Sequence, residues 1–298
     1  MKINSRATPF NIAIISAFTV ANSLILAPFY KKSIIPLLLA LVIWVAVISV
    51  FTVLQNRAIL KVKNKTAIKI ISILIALAAV AVSGLAFREH TDFIYNAVLI
   101  RADMWVIKAV FALCVYFLAI SDKAAIYKFS LLTTVLASAV FIVLFFLSAK
   151  TFETRNLRGI FSTTGFSFAK TADYFVKMFL PTVVCVMFIG SNDKKLSLFS
   201  AISGTIYSIV LCLLVIFDSV LSFGLPFSAE LSYPYISDIS TVTIGSLFTR
   251  MDGFAYFSFF ACYIVKCGVC INLSATLISE KYKKTLCLIL CAILTIFL

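Results

Sequence analysis

Residues 252–277 read DGFAYFSFFACYIVKCGVCINLSATL. A helix that crosses a bilayer needs about 20 mainly apolar residues, and this run supplies them. It also carries Lys266, about 14 residues and roughly 21 Å beyond Asp252 at 1.5 Å per residue. A cation at that depth costs at least about 2.5–3.5 kcal/mol, so it should face the interior of a helix bundle and meet a partner there. The structural alternative is a long stem that snorkels inward toward residues 274–279. Both readings make the stretch a membrane span.

Similar runs lie near 10–30, 33–54, 69–87, 104–120, 126–148, 173–190 and 196–217, with a shorter one at 285–298. Together they make nine segments in a single transmembrane domain over residues 1–298. The fold class is therefore an all-α integral membrane protein. Composition agrees: 62% of the 298 residues are hydrophobic and 13% are charged, against about 45–50% and about 25% in soluble domains. A soluble globule has too little interior for that much apolar surface. Soluble enzymes, nucleic-acid-binding proteins and disordered tails are excluded. The net charge of +14 then decorates the cytoplasmic ends of helices. With the N-terminus inside, fourteen basic residues fall on inner segments and ten on outer ones, and the tight basic run over 57–69 carries most of the bias. The N-terminus is read as cytoplasmic.

Little in the chain suggests bond-making chemistry. All eight cysteines sit inside apolar runs, where thiols behave as small hydrophobes. Cys267 and Cys270 have ligand spacing, but they lie in mid-helix and His90 is the only histidine, so no metal and no cofactor are expected. There is no Ser–His–Asp set, no HExxH and no phosphate-binding glycine loop, so no enzyme is expected.

Polar groups placed inside the spans point to binding. Ala21, Asn22 and Ser23 occupy the middle of the first segment, ahead of Pro28, and Pro181 lies inside the sixth. Proline breaks the hydrogen-bond ladder of a helix. Interruptions in corresponding segments of two halves mark a transporter's midplane site; the plainer reading is side chains bonding to their own helix. Two outer loops, 149–172 and 218–251, are long enough to be lids. The second holds acidic Asp218, Glu230 and Asp238.

From Phe223 to Lys266 the elements Phe223-Gly224, Leu231, Tyr233-Pro234, Ile244-Gly245 and Phe248 are followed by Arg250 and Asp252, which open the helix carrying Lys266. This region resembles that of the spore germination receptor B-subunit family (GerAB-type) of the amino acid–polyamine–organocation transporter superfamily. Arg88-Glu89-His90-Thr91-Asp92-Phe93, before Trp105-Val106-Ile107, is similar to that family's acidic–aromatic turn ahead of its fourth helix, and residues 22–28 to its first-helix break. The resemblance implies a LeuT-like bundle of two inverted five-helix repeats, here with about nine helices and the tenth absent. It implies broken first and sixth helices around a small nutrient, such as an amino acid. Ala21, Asn22, Ser23, Pro181 and Lys266 would be at the ligand, and Tyr233, Pro234, Gly245, Arg250 and Asp252 on a lid or gate. Asp252 also reads more simply as a charge favoured at a helix N-terminus, with Arg250 as an interfacial anchor. The family's members sit in the spore inner membrane with a larger membrane subunit and a lipoprotein, and nutrient binding there would trigger germination. Two alternatives remain open: a secondary transporter of amino acids or cations, and a degenerate scaffold that binds nothing.

Overall fold

The computed structural model describes residues 8–26, 34–58, 65–99, 101–158, 160–161, 167–190, 198–228, 230–242 and 251–297. Among these there is no strand. The long helices are α1 (Thr8–Leu26), α2 (Ile35–Ala58), α3 (Lys65–Phe93), α4 (Met104–Ile120), α5 (Lys123–Ser148), α6 (Phe168–Gly190), α7 (Leu198–Phe223), α10 (Asp252–Ile278) and α11 (Lys283–Phe297). The short α8 (Leu225–Ser228) and α9 (Pro234–Ile239) lie between α7 and α10.

Six of the described helices (α2, α3, α5, α6, α7 and α10) are long and apolar enough to cross a membrane. The apolar stretches of α1 and α4, Pro9–Ala21 and Met104–Ile120, are shorter than that, and α11 has 15 residues. Sequence patterning expects nine spans; length and hydropathy together single out six.

In lipid every backbone polar group must be satisfied within the protein, which is why the spans are helical. Burial then sorts them. α10 and α1 form the centre: α10 is buried from Ala261 to Ala275, and α1 from Ala13 to Ala21. α10 packs on α3, α4, α5 and α1, and α1 also packs on α5, α6 and α7, while α2 lies outside against α6 and α7. The outward faces of α2, α3, α4 and α5 are apolar, with Val42, Leu77, Phe117 and Phe146 exposed, as lipid contact requires.

Without a hydrophobic drive between helices in lipid, small residues and cross-helix hydrogen bonds hold the bundle. Thr134 on α5 donates to the carbonyl of Ala13 on α1 at 2.9 Å, Asn272 on α10 to that of Ala119 on α4 at 2.7 Å, and Ser274 on α10 to that of Ala76 on α3 at 3.1 Å. Gly204 lets α7 approach α1 closely: a Cβ there would lie 3.2 Å from the Cα of Ile12. Gly268 does the same for α10 against Leu118 of α4, at 2.9 Å.

The helix ends follow local chemistry. Asp103 and Asp122 cap α4 and α5, accepting from the amides of Trp105 at 3.1 Å and Ala125 at 2.9 Å. α7 ends at Gly224, whose φ of 75° is open to glycine and strained for other residues. Asn156 crosses over to donate to the carbonyls of Leu221 and Ser222, in the last turn of α7, at 2.8 and 3.1 Å.

Four sequence expectations need correction. The first segment is not broken at Ala21, Asn22 and Ser23: α1 runs through all three as helix, because short polar side chains can sit in a helix whose backbone stays bonded. Nor is the sixth broken at Pro181, which sits inside α6; one proline frees a single carbonyl, and the Thr182 hydroxyl adds a bond to the carbonyl of Met178 at 2.8 Å in the adjoining turn. Residues 88–93 are no turn: α3 continues to Phe93 and widens into a π-helical turn over Ile94–Val98. The expected loop over 218–251 likewise begins as helix, α7 reaching Phe223 before α8 and α9 follow. Pro28, Gly245 and Arg250 lie outside the described residues.

Candidate functional site

Positions 82, 85 and 89 lie on one face of α3 by the i, i+3, i+7 rule, and that face meets α6 and α10. On α6, Val176 and Leu180, like Lys177 and Pro181, stand one turn apart. Between the three helices is a cavity of about 80 Å³, with Glu89 of α3, Lys177 and Pro181 of α6, and Lys266 of α10 on its wall. Val82 and Leu180 add apolar surface, and the rim, Leu85 and Val176, is 58% and 56% exposed on the side of the bundle.

Lys266 is 3% exposed, and its Nζ lies 3.9 Å from Oε2 of Glu89, whose side chain is 29% exposed. The same ammonium sits 5.4 Å from the ring centre of Tyr263, one turn back along α10. Lys177 bonds to Asp173 at 3.0 Å along α6 and is close enough for its charge to act on Glu89. The cavity wall therefore presents one anion between two cations. A lysine sunk in a span meets a counter-charge there, as the cost of an unpaired charge in lipid demands.

Adjacent residues on α3 serve different faces. Arg88 pairs with Asp92 at 3.7 Å on the outside, while Glu89 turns toward α10. His90 is fully buried in an aromatic cage, with ring centres of Phe111 at 4.5 Å, Tyr263 at 4.7 Å, Phe260 at 5.3 Å and Phe93 at 6.1 Å. Neither of its ring nitrogens has a hydrogen-bond partner among the described residues. This histidine packs as an aromatic, away from the cavity.

Of the residues singled out in the sequence, Pro181 and Lys266 come together at the cavity. Ala21 is buried in α1 and does not line it; the side chains of Asn22 and Ser23 lie outside the described part of the structure. Tyr233 stacks edge-on against Phe93 at 4.9 Å, Pro234 opens α9, and Asp252 is buried in the first turn of α10 rather than exposed at an interface. Sequence reasoning missed Glu89, read only as part of a motif, and gave Lys177 no role. Part of the signal was available: a lysine in mid-span calls for an acid from another helix, and Glu89 lies two residues beyond the end of the 69–87 run.

An all-helical bundle with six described helices long and apolar enough to cross a membrane defines an integral membrane protein. More particularly, the chain belongs to the spore germination protein family, whose sequence profile matches residues 10–298. Among curated proteins none matches.

Proposed function

We propose that the chain is the integral-membrane subunit of a spore nutrient-germinant receptor and that it binds a small amino acid in the cavity between α3, α6 and α10. The observation that carries this reading is the buried Lys266–Glu89 pair on the wall of a cavity with an apolar rim. A zwitterion matches it: the carboxylate goes to Lys266 and Lys177, the ammonium to Glu89, and an apolar side chain to Leu85 and Val176. Because α1 is unbroken at Ala21–Ser23, side-chain charges take the role that freed backbone groups would have had. The family assignment supports placing the protein in the spore inner membrane with a larger membrane subunit and a lipoprotein, and the LeuT-like arrangement of inverted repeats belongs to the same reading. Ligand binding would shift a two-state equilibrium that the partner subunits sense. No covalent step is involved.

The test is a thermal-shift screen of the detergent-purified protein against amino acids, simple sugars and nucleosides. A ligand at 100 times its dissociation constant adds about 2.7 kcal/mol of apparent stability. The expected result is a shift confined to amino acids and lost in Lys266→Met. A folded protein that no amino acid shifts, or a shift that Lys266→Met leaves intact, overturns the reading and favours a scaffold. Uptake of the same labelled amino acid into liposomes by the isolated subunit would move the conclusion from receptor to transporter.

A further inference from the structure

The second unusual group of buried charges lies where α5, α7 and α9 meet. Asp218, one turn before Ser222 on α7, is 0% exposed, and Asp238 on α9 is 1% exposed. Ser148 at the end of α5 donates to Oδ1 of Asp218, and Ser222 donates to Oδ2 of Asp238 at 2.9 Å. Thr151 lies 3.0 Å from Ser222, hydroxyl to hydroxyl. The two carboxyl groups are within hydrogen-bonding reach of one another.

Two buried polar groups at the pair lack a hydrogen-bond partner among the described residues. They are the Oδ2 of Asp218 and the hydroxyl of Tyr235 on α9, whose ring is close enough to both carboxyls to feel their charge. Ionised carboxylates only accept, so two of them in contact repel; a single proton turns the contact into a hydrogen bond. Among the described residues, the charged and titratable groups around the pair supply no substitute. On the 149–157 segment Glu153 pairs with Arg155 at the surface, Lys150 is exposed, α10 contributes only another acid, the buried Asp252, and α5 contributes the neutral Ser148.

We propose that Asp218 and Asp238 form a proton-binding site that fastens α9 to the end of α7. With the proton bound, the pair carries one negative charge and one internal hydrogen bond. When the proton leaves to water, two negative charges face each other in a buried site and α9 separates. Burial supports this by holding Asp238 up at about 6, against the Ser222 and Asp218 hydrogen bonds that pull it down. The sign follows: the docked state binds more protons than the released one, so docking is strongest at low pH and weakens as pH rises through about 6 and above. The site is separate from the Lys266 cavity and does not depend on it.

The experiment is hydrogen–deuterium exchange of residues 225–242 in the nanodisc-embedded protein between pH 5 and 8, corrected for the intrinsic rate. One proton released on undocking gives an increase of more than about tenfold over that range. Asp238→Asn, whose amide donates to Asp218 without titrating, should hold the exchange flat and slow at pH 8. In the wild type, infrared spectroscopy should show a protonated-carboxyl band that falls with rising pH, a readout that holds even where the asparagine variant does not fold. Exchange that is flat in the wild type, or no titrating carboxyl band, overturns the proposal. So does protection at pH 8 that depends on sodium rather than on N-methylglucamine, because that outcome puts a metal cation between the acids.

Discussion

Lys266 is answered from another helix, and this decides what single substitutions should do. Removing one partner of a buried ion pair leaves the other charge uncompensated and is strongly destabilising, whereas replacing both with apolar or neutral groups is often close to neutral. Glu89→Gln should therefore lower the unfolding free energy by about 2 kcal/mol, discounted for its partial exposure and for Lys177 nearby. The double variant Glu89→Gln/Lys266→Met should recover at least about 1 kcal/mol of that loss. Chemical or thermal unfolding in detergent of the four members of the cycle checks it; strictly additive effects would mean that the two side chains do not interact. Half of this pair was legible in the sequence. Depth and charge were enough to say that Lys266 needed a partner, because the cost of a lone charge in lipid depends on position along the helix alone. The identity of the partner depends on how α3 and α10 rotate toward each other, and a sequence without that rotation does not distinguish Glu89 from other acids near the spans.

At the scale of the elements, α3 shows where hydropathy misleads. The run of charge over 88–92 marks the end of an apolar window, so a reading by window stops the helix near residue 87. The helix continues because each polar residue meets a different need at 3.6 residues per turn: Arg88 and Asp92 pair outside, Glu89 turns to Lys266 and His90 fills an aromatic cage. The reverse error occurs at Ala21–Ser23 and Pro181, where residues that often interrupt helices lie within them. Propensity says what a residue tolerates; in lipid the demand for bonded backbone overrides it. Packing between elements yields a sharper prediction at Gly268. A Cβ there would lie 2.9 Å from Cδ2 of Leu118, which can swing aside, but also 3.2 Å from its Cβ, which cannot. Helix propensity favours alanine over glycine by about 1 kcal/mol and offsets that crowding in part, so Gly268→Ala should change stability by less than about 1 kcal/mol. Gly268→Val forces α10 away from α4 and should cost about 1–3 kcal/mol by overpacking, read as a lower unfolding midpoint. Equal loss in both variants would place the cause in the backbone of α10 and not in its contact with α4.

For the molecule as a whole, the open issue is which helices cross. Between Lys69 and Lys150, both exposed, lie α3, α4 and α5. α3 and α5 satisfy length and hydropathy, whereas α4 has 17 residues, about 26 Å of helix against a hydrocarbon core of about 30 Å. Tilt makes mismatch worse and local thinning relieves it at fractions of a kcal/mol per Å, so a helix this apolar should still span. Three crossings put Lys69 and Lys150 on opposite sides, with Lys69 in the cytoplasm if the excess of basic residues over 57–69 sets orientation. Single cysteines at the two positions, read with a membrane-impermeant maleimide on sealed vesicles of known sidedness, decide both points. Background labelling should be low, since seven of the eight native thiols are buried and Cys114 is half-buried. Lys69→Cys should react only from the cytoplasmic side and Lys150→Cys only from the other. The reverse pattern would invert the protein, turning the Asp218–Asp238 pair toward the cytoplasm. Reaction of both from one side would mean that α4 lies in the interface without crossing, and the Lys266 cavity would then belong to a bundle with one span fewer on that side.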